Sequence, residues 1–279
     1  MKRFLPYSTQ LIENDDLNEV KKILKSKILT KGKKTLEFEK KIKSFVKCKY
    51  SLATINASSS LILACRALDI NKDDIVWTSA NTYIATINAA LHCGAKIDLL
   101  DINLDDYNIC IDLLEKKLIK AKKTKQLPKV IIAVHLAGYP MDLEKLKKLS
   151  KIYKFKIIED ASHAFGSKYK NSRIGDCYYS DICIFSFHPV KVITTAEGGA
   201  ITTNNKKMFK KIIQLRENGI ERVNLIKKFD LNAYDVVDLG YNFRINEINS
   251  SLGISQINKT RDFIKKKKFN SKILFQKVN

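Results

Sequence analysis

The sequence predicts an α/β fold, a mostly parallel central sheet covered by helices on both faces. Three observations carry that reading. From Tyr50 onward, short apolar runs of strand character alternate with helical stretches. The run Val130–His135 is strongly β-branched. Hydrophobic residues make up 45% of the 279, enough to fill a large core and to argue against disorder.

The elements follow in order. After an opening loop comes a helix capped by Asn14 or Asp15, with Leu17, Val20, Ile23 and Leu24 on one face. Thr30-Lys-Gly32 breaks the pattern, and a second helix runs from about Thr35 to Val46 with Leu36, Phe38, Ile42 and Phe45 as its apolar positions. A strand at Ser51–Ile55 leads through Ala57-Ser-Ser-Ser60 into an apolar helix ending near Leu68. Strands at Asp74–Thr78 and Lys96–Asp101 flank a helix at Tyr83–His92. The helix Leu113–Lys123 is followed by Pro128 and the Val130–His135 strand. Asp142 caps a helix whose core face is Leu143, Leu146, Leu149 and Ile152. Strands at Lys156–Glu159, Ile182–Phe187 and Ala200–Thr203 precede a helix at Met208–Arg216. A long helix then runs from about Asn246 towards Lys268, with Lys265–Lys268 as a solvated charge run.

Composition excludes several function classes. No stretch of 18 apolar residues spans a membrane, and the N-terminus lacks the apolar core of a signal peptide, so the expectation is a cytoplasmic protein with no membrane partner. The six cysteines have no CxxC spacing and sit mostly in apolar runs, which reads as reduced core residues and no metal site. The net charge of +22 is spread along the chain, and aromatics do not interleave with Lys in a base-stacking patch. No nucleic-acid partner is therefore expected, although the charge helps attract an anionic substrate.

The chemistry concentrates in Ser186-Phe-His-Pro-Val-Lys191-Val-Ile-Thr-Thr-Ala-Glu-Gly-Gly199. Lys191 lies in a mostly uncharged neighbourhood between two apolar strands, where desolvation favours the neutral, nucleophilic amine. Such an amine suits pyridoxal phosphate (PLP), which also needs a carboxylate for its ring nitrogen, a stacking side chain and a phosphate cup. Asp160, at the end of an apolar strand, supplies the carboxylate; the alternative is an Asp capping the following turn. Ser58, Ser59 and Ser60 open a helix directly after a strand, which favours an anion, the alternative being a plain N-cap. Tyr83 is the stacking candidate, or else core packing. His163 can bond the ring hydroxyl, Ser186 can add a hydroxyl, and His188 can shuttle protons or only pack.

Glu159-Asp160-Ala-Ser-His-Ala164, the lysine motif at Ser186–Lys191, Thr194-Thr-Ala-Glu-Gly-Gly199 and Gly240-Tyr-Asn-Phe-Arg244 with Asn246-Glu-Ile resemble the DegT/DnrJ/EryC1/StrS sugar aminotransferases. The resemblance runs from about Pro6 to Gln256 and implies the fold-type I PLP-dependent transferase architecture. It implies the lysine and acidic motifs that carry Lys191 and Asp160, which with the proton-shuttle candidate His188 make the catalytic set, and a homodimer in which Asn242 contacts the cofactor phosphate of the neighbouring subunit. The Thr194–Gly199 motif and His163, where the family more often has glutamine, resemble its pseudaminic acid branch. That branch implies amino transfer from L-glutamate to C4 of a UDP-linked 4-keto-6-deoxy-N-acetyl-altrosamine. By the same resemblance, residues 1–245 form the PLP-binding large domain with an N-terminal helical segment. Residues 246–279 form the long helix and the start of a small C-terminal domain that is largely missing. Apolar Phe269, Ile273, Leu274 and Phe275 would then be exposed. The rival expectation is a truncated, non-catalytic homologue acting as an interaction or regulatory protein.

Overall fold

The computed structural model describes residues 8–221 and 234–278, the stretch 272–278 by its backbone. Two helices, α1 (Asn14–Leu24) and α2 (Lys33–Val46), precede the first strand, β1 (Tyr50–Thr54). Then α3 (Ala57–Ala67), β2 (Ile75–Ser79), α4 (Ile84–Leu91), β3 (Lys96–Leu100), α5 (Ile111–Lys123) and β4 (Val130–Val134) alternate. The helix α6 (Leu143–Tyr153) leads to β5 (Lys156–Asp160) and a small hairpin, β6 (Lys168–Tyr169) and β7 (Ser172–Arg173), which was not foreseen. Two longer strands, β8 (Ile182–Ser186) and β9 (Gly199–Thr203), precede α7 (Lys206–Arg216). The short pair β10 (Ile220–Glu221) and β11 (Asp235–Val236) comes before α8 (Glu247–Val278).

Seven strands form one sheet in the order β1-β9-β8-β5-β4-β2-β3. Neighbours from β8 to β3 pair in parallel, while β9 is antiparallel to both β8 and β1. The predicted α/β class is thus the observed one. Alternation along the strands divides the core into two layers. Ile131, Ala133, Ile157, Cys183 and Phe185 face the layer that includes α2, α5, α6 and α8 residues. Val130, Ile132, Ile158, Ile182 and Ile184 face the layer with α3, α4 and α7 residues. Because β4, β5 and β8 are covered on both faces, all their positions except Lys156 are buried, which explains their nearly continuous apolar sequence.

Packing is continuous through residue 246, since Ile254, Ile257 and Phe263 of α8 belong to the core. Gly253 lets α8 lie close to α2: a Cβ there would meet the Phe38 ring at 2.6 Å.

The apolar positions of the first helices correct the expectation. Leu17 and Leu24 are exposed, as are Leu36 on α2 and Ile152 on α6. A polar seam fastens α1 instead: buried Asp16 accepts from Gln256 Nε2 at 2.9 Å and Lys259 Nζ at 2.6 Å on α8. The cap is not Asn14 or Asp15 but Glu13, in a capping box with Asp16. Phe269 is exposed, whereas the side chains of Ile273, Leu274 and Phe275 lie outside the described residues. Among the described residues no helix is long and apolar enough to cross a membrane, and no acidic, His or Cys cluster is arranged to hold a metal.

Candidate active site

The chain leaves β2 towards one sheet edge, where β3 lies, and then returns through β4, β5 and β8 towards the other. In open α/β sheets such a reversal opens a crevice at the carboxyl ends of the strands. The segments that follow β1, β2, β5 and β8 all emerge at that end, and β9, running the opposite way, begins there. This brings Ser58, Tyr83, Asp160, Ser186 and Lys191 to one edge although up to 133 positions separate them in sequence.

Asp160 closes β5, the central strand of the seven, and is 5% exposed. Its Oδ1 accepts the Ser162 N–H at 3.1 Å and the Ser162 hydroxyl at 2.6 Å. Its Oδ2 accepts the Thr86 hydroxyl of α4 at 2.7 Å. The Asp-capped turn and the carboxylate at a strand end are therefore both present, one on each oxygen. Buried carboxylates demand such donors.

Lys191 lies on the loop from β8 to β9. Its N–H donates to the His188 carbonyl at 2.9 Å, forming a tight turn over Pro189. The residues after it are spent on closing the loop. The Thr194 hydroxyl donates to the Phe187 carbonyl at 3.1 Å, and that of Thr195 to the Glu197 carbonyl at 2.9 Å. Lys191 itself is half-buried, and that burial pushes its ammonium below the usual lysine range, against the opposing pull of Asp160. His163, also half-buried, is held below the usual imidazole range chiefly by burial and then by the charge of Lys191.

Ser58 and Ser59 lie in the first turn of α3, whose N-cap is Asn56. The Asn56 side chain takes the Ser59 N–H at 2.8 Å, while the N–H groups of Ala57 and Ser58 have no partner among the described residues. Ser58 is exposed; Ser60 is buried and its hydroxyl bonds Thr54, which removes it from the expected anion cup. Tyr83 is the N-cap residue of α4 and is 76% exposed, so it is not core packing. Ser186 is buried at the end of β8. His188 is exposed and its Nδ1 faces the Val190 N–H at 3.4 Å; no hydrogen bond joins it to Asp160 or to the Lys191 amine among the described residues. Asn242 is exposed, next to Phe243, whose carbonyl accepts the Ile55 N–H at 2.9 Å as the chain leaves β1.

Sequence reasoning missed Thr86 and Lys267. Thr86 sits three residues after Tyr83, close to one helical turn, and that spacing was the available signal. Lys267 of α8 donates to the Lys191 carbonyl at 3.3 Å, so the Lys265–Lys268 run is not wholly a solvated face.

The profile of the DegT/DnrJ/EryC1/StrS aminotransferase family matches residues 10–279, and the chain belongs to that family. Its fold is the fold-type I architecture of PLP-dependent aminotransferases. It is 40% identical over 255 residues to the UDP-4-amino-4,6-dideoxy-N-acetyl-beta-L-altrosamine transaminase of Campylobacter jejuni, covering 91% of this chain and 64% of that one. To the Helicobacter pylori transaminase of the same name it is 34% identical over 281 residues, covering 100% of this chain and 70% of the other. Among solved structures it is similar to Helicobacter pylori PseC, described as an aminotransferase involved in the biosynthesis of pseudoaminic acid. That match has a TM-score of 0.85 and 33% identity over 93% of this chain and 66% of the other. It is also similar to the Streptococcus pneumoniae protein Spr1654 in its PLP-form, with a TM-score of 0.80 and 29% identity over 93% of this chain and 68% of the other. The chain thus spans a little under two thirds of the length of the Campylobacter relative.

Proposed function

We propose that this chain forms the cofactor-binding body of a PLP-dependent aminotransferase. The reaction is transfer of an amino group from L-glutamate to C4 of a nucleotide-linked 4-keto-6-deoxy sugar, a UDP-linked N-acetyl-altrosamine derivative. The observation that carries the reading is the convergence of Lys191 and Asp160, from neighbouring strands, at the one end of the sheet where the first turn of α3 also opens. The names of the altrosamine transaminases to which the chain is similar support the sugar.

The donor set fits PLP. A half-buried lysine whose charge is disfavoured offers the amine that its aldehyde requires. Asp160 offers a carboxylate to the ring nitrogen. The free N–H groups of Ala57 and Ser58, with the hydroxyls of Ser58 and Ser59, lie at the positive end of an eleven-residue helix and suit a phosphate. The exposed Tyr83 offers a ring face, Ser186 a hydroxyl and His163 a neutral imidazole for the ring hydroxyl.

When bound, PLP supplies an electron sink for the carbanion formed at the amino acid's α carbon. Lys191 would hold the group through its side-chain amine and, when that amine is not so engaged, would remove the amino acid's α proton as a base and give it back as an acid. Asp160 keeps the ring nitrogen protonated and so strengthens the sink. In a cytoplasmic homodimer, Asn242 reaches the phosphate bound by its partner.

The purified protein, mixed with PLP, is expected to show a visible absorbance band that borohydride fixes covalently and that glutamate discharges in a single turnover. Lys191→Ala is expected to lose the band and the covalent trapping. An unchanged band in that variant sinks the assignment of Lys191. Cofactor uptake without glutamate turnover would favour a non-catalytic homologue.

A further inference from the structure

Asp160 is not a symmetric carboxylate. Its Oδ1 accepts two hydrogens from Ser162, at 3.1 and 2.6 Å, which occupies both of that oxygen's lone pairs. Its Oδ2 accepts only one, from Thr86 Oγ1 at 2.7 Å, and retains an open acceptor position. A carboxylate has no hydrogen to give, so Thr86 must be the donor in this contact. Thr86 in turn accepts from Thr82 Oγ1 at 2.9 Å, giving a one-way chain from Thr82 through Thr86 to Asp160. Thr86 is fully buried and belongs to the first turn of α4, the helix whose N-cap is the exposed Tyr83. One short helical turn therefore holds both the exposed aromatic and the hydroxyl that aims the carboxylate.

Resting on the proposed function, we propose that Thr86 is a positioning residue which fixes Asp160 Oδ2, and not Oδ1, as the acceptor for the cofactor's ring nitrogen. With Oδ1 held by Ser162 alone, loss of the Thr86 bond removes the one donor that fixes the direction of Oδ2, so the carboxylate's twist about Cβ–Cγ is less restrained and its open lone pair less well aimed. Thr86→Val keeps the side chain's shape and removes the donor; Thr86→Ser keeps the donor.

The test uses the full chain and pyridoxal phosphate labelled with 15N in its ring. Thr86→Val is expected to bind the cofactor roughly tenfold more weakly or worse, the loss typical of a hydrogen bond to a charged group. Its ring-nitrogen resonance is expected to move towards the unprotonated position, as in Asp160→Asn. Thr86→Ser should restore both readouts. Thr82→Val should change them little, because Thr86 keeps its own hydrogen for Asp160. A purely structural role for Thr86 would lower the melting temperature without moving the nitrogen resonance, and that outcome overturns the proposal. So does a Thr86→Val variant that loads with wild-type affinity and resonance. Wild-type protein that takes up no cofactor overturns the proposed function, and this inference with it.

Discussion

His163 shows how a single side chain carries the electrostatics of the site. Burial is the largest influence on it, with the Lys191 charge next, and both hold it neutral below its ordinary titration range. In the unfolded chain it takes up a proton near the usual 6.5. Between that pH and its lower folded value, the unfolded state binds more protons than the native one, so stability falls as pH falls through the window. Cofactor-free protein should therefore lose urea resistance between pH 7.5 and pH 5.5, and His163→Gln should lose less of it. Equal losses in the two proteins would show that His163 does not titrate as its surroundings dictate. Lys191 follows the same logic at higher pH: its depressed value makes the charged form a cost of the native state.

At the level of elements, the N-terminus of α2 has an unusual cap. Its N-cap, Gly32, contributes no side-chain hydrogen bond. Glu247, the first residue of α8, reaches across instead and accepts the N–H groups of Lys34 at 2.8 Å and Thr35 at 3.0 Å, together with the Thr35 hydroxyl. Glu247 is 2% exposed and Thr35 is buried, while the Lys34 contact is partly buried, so these donors have little solvent to turn to. Glu247→Ala should cost about 2–3 kcal/mol in urea unfolding, the penalty of leaving buried donors unpaired. Glu247→Gln, which keeps an acceptor, should cost less. Comparable losses for the two would mean that hydrogen bonding is not what Glu247 contributes. The same contact explains Gly32: a Cβ there would lie 2.4 Å from Glu247 Oε2. Neither α2 nor α8 reveals this pairing by its own periodicity, because the partners are 213 positions apart.

For the whole molecule, the proposed homodimer makes Asn242 the residue to test. Asn242 is exposed near the exit of β1, with no side-chain hydrogen bond to Lys191 or Asp160 of its own chain among the described residues. A site shared between subunits makes a sharp prediction. Co-expressed Lys191→Ala and Asn242→Ala chains should form mixed dimers with one intact site, recovering a cofactor band and turnover that neither variant shows alone. Failure to recover either would confine the site to one chain. The net charge of +22 belongs to this scale as well, a long-range field set by the whole surface and not a determinant of the fold.

The sequence by itself determined the class of fold and the order of its main elements, and it singled out Lys191 and Asp160 as candidates. These are local signals: an apolar run long enough for a strand buried on both faces, a polar residue where it ends, and a lysine without charged neighbours. Val130–Val134 and the run ending in Asp160 were legible for that reason. Only the tertiary structure decided which residues serve them. Thr86 meets Asp160 across 74 positions, Glu247 caps α2 across 213, and Lys267 approaches Lys191 across 76. It also decided that Leu17 and Leu24 stay exposed, because Asp16 rather than an apolar stripe fastens α1 to α8. The physical reason is common to all of these. Periodicity reports which side of an element avoids water, while a hydrogen bond between distant elements depends on how the whole sheet and its helices come together.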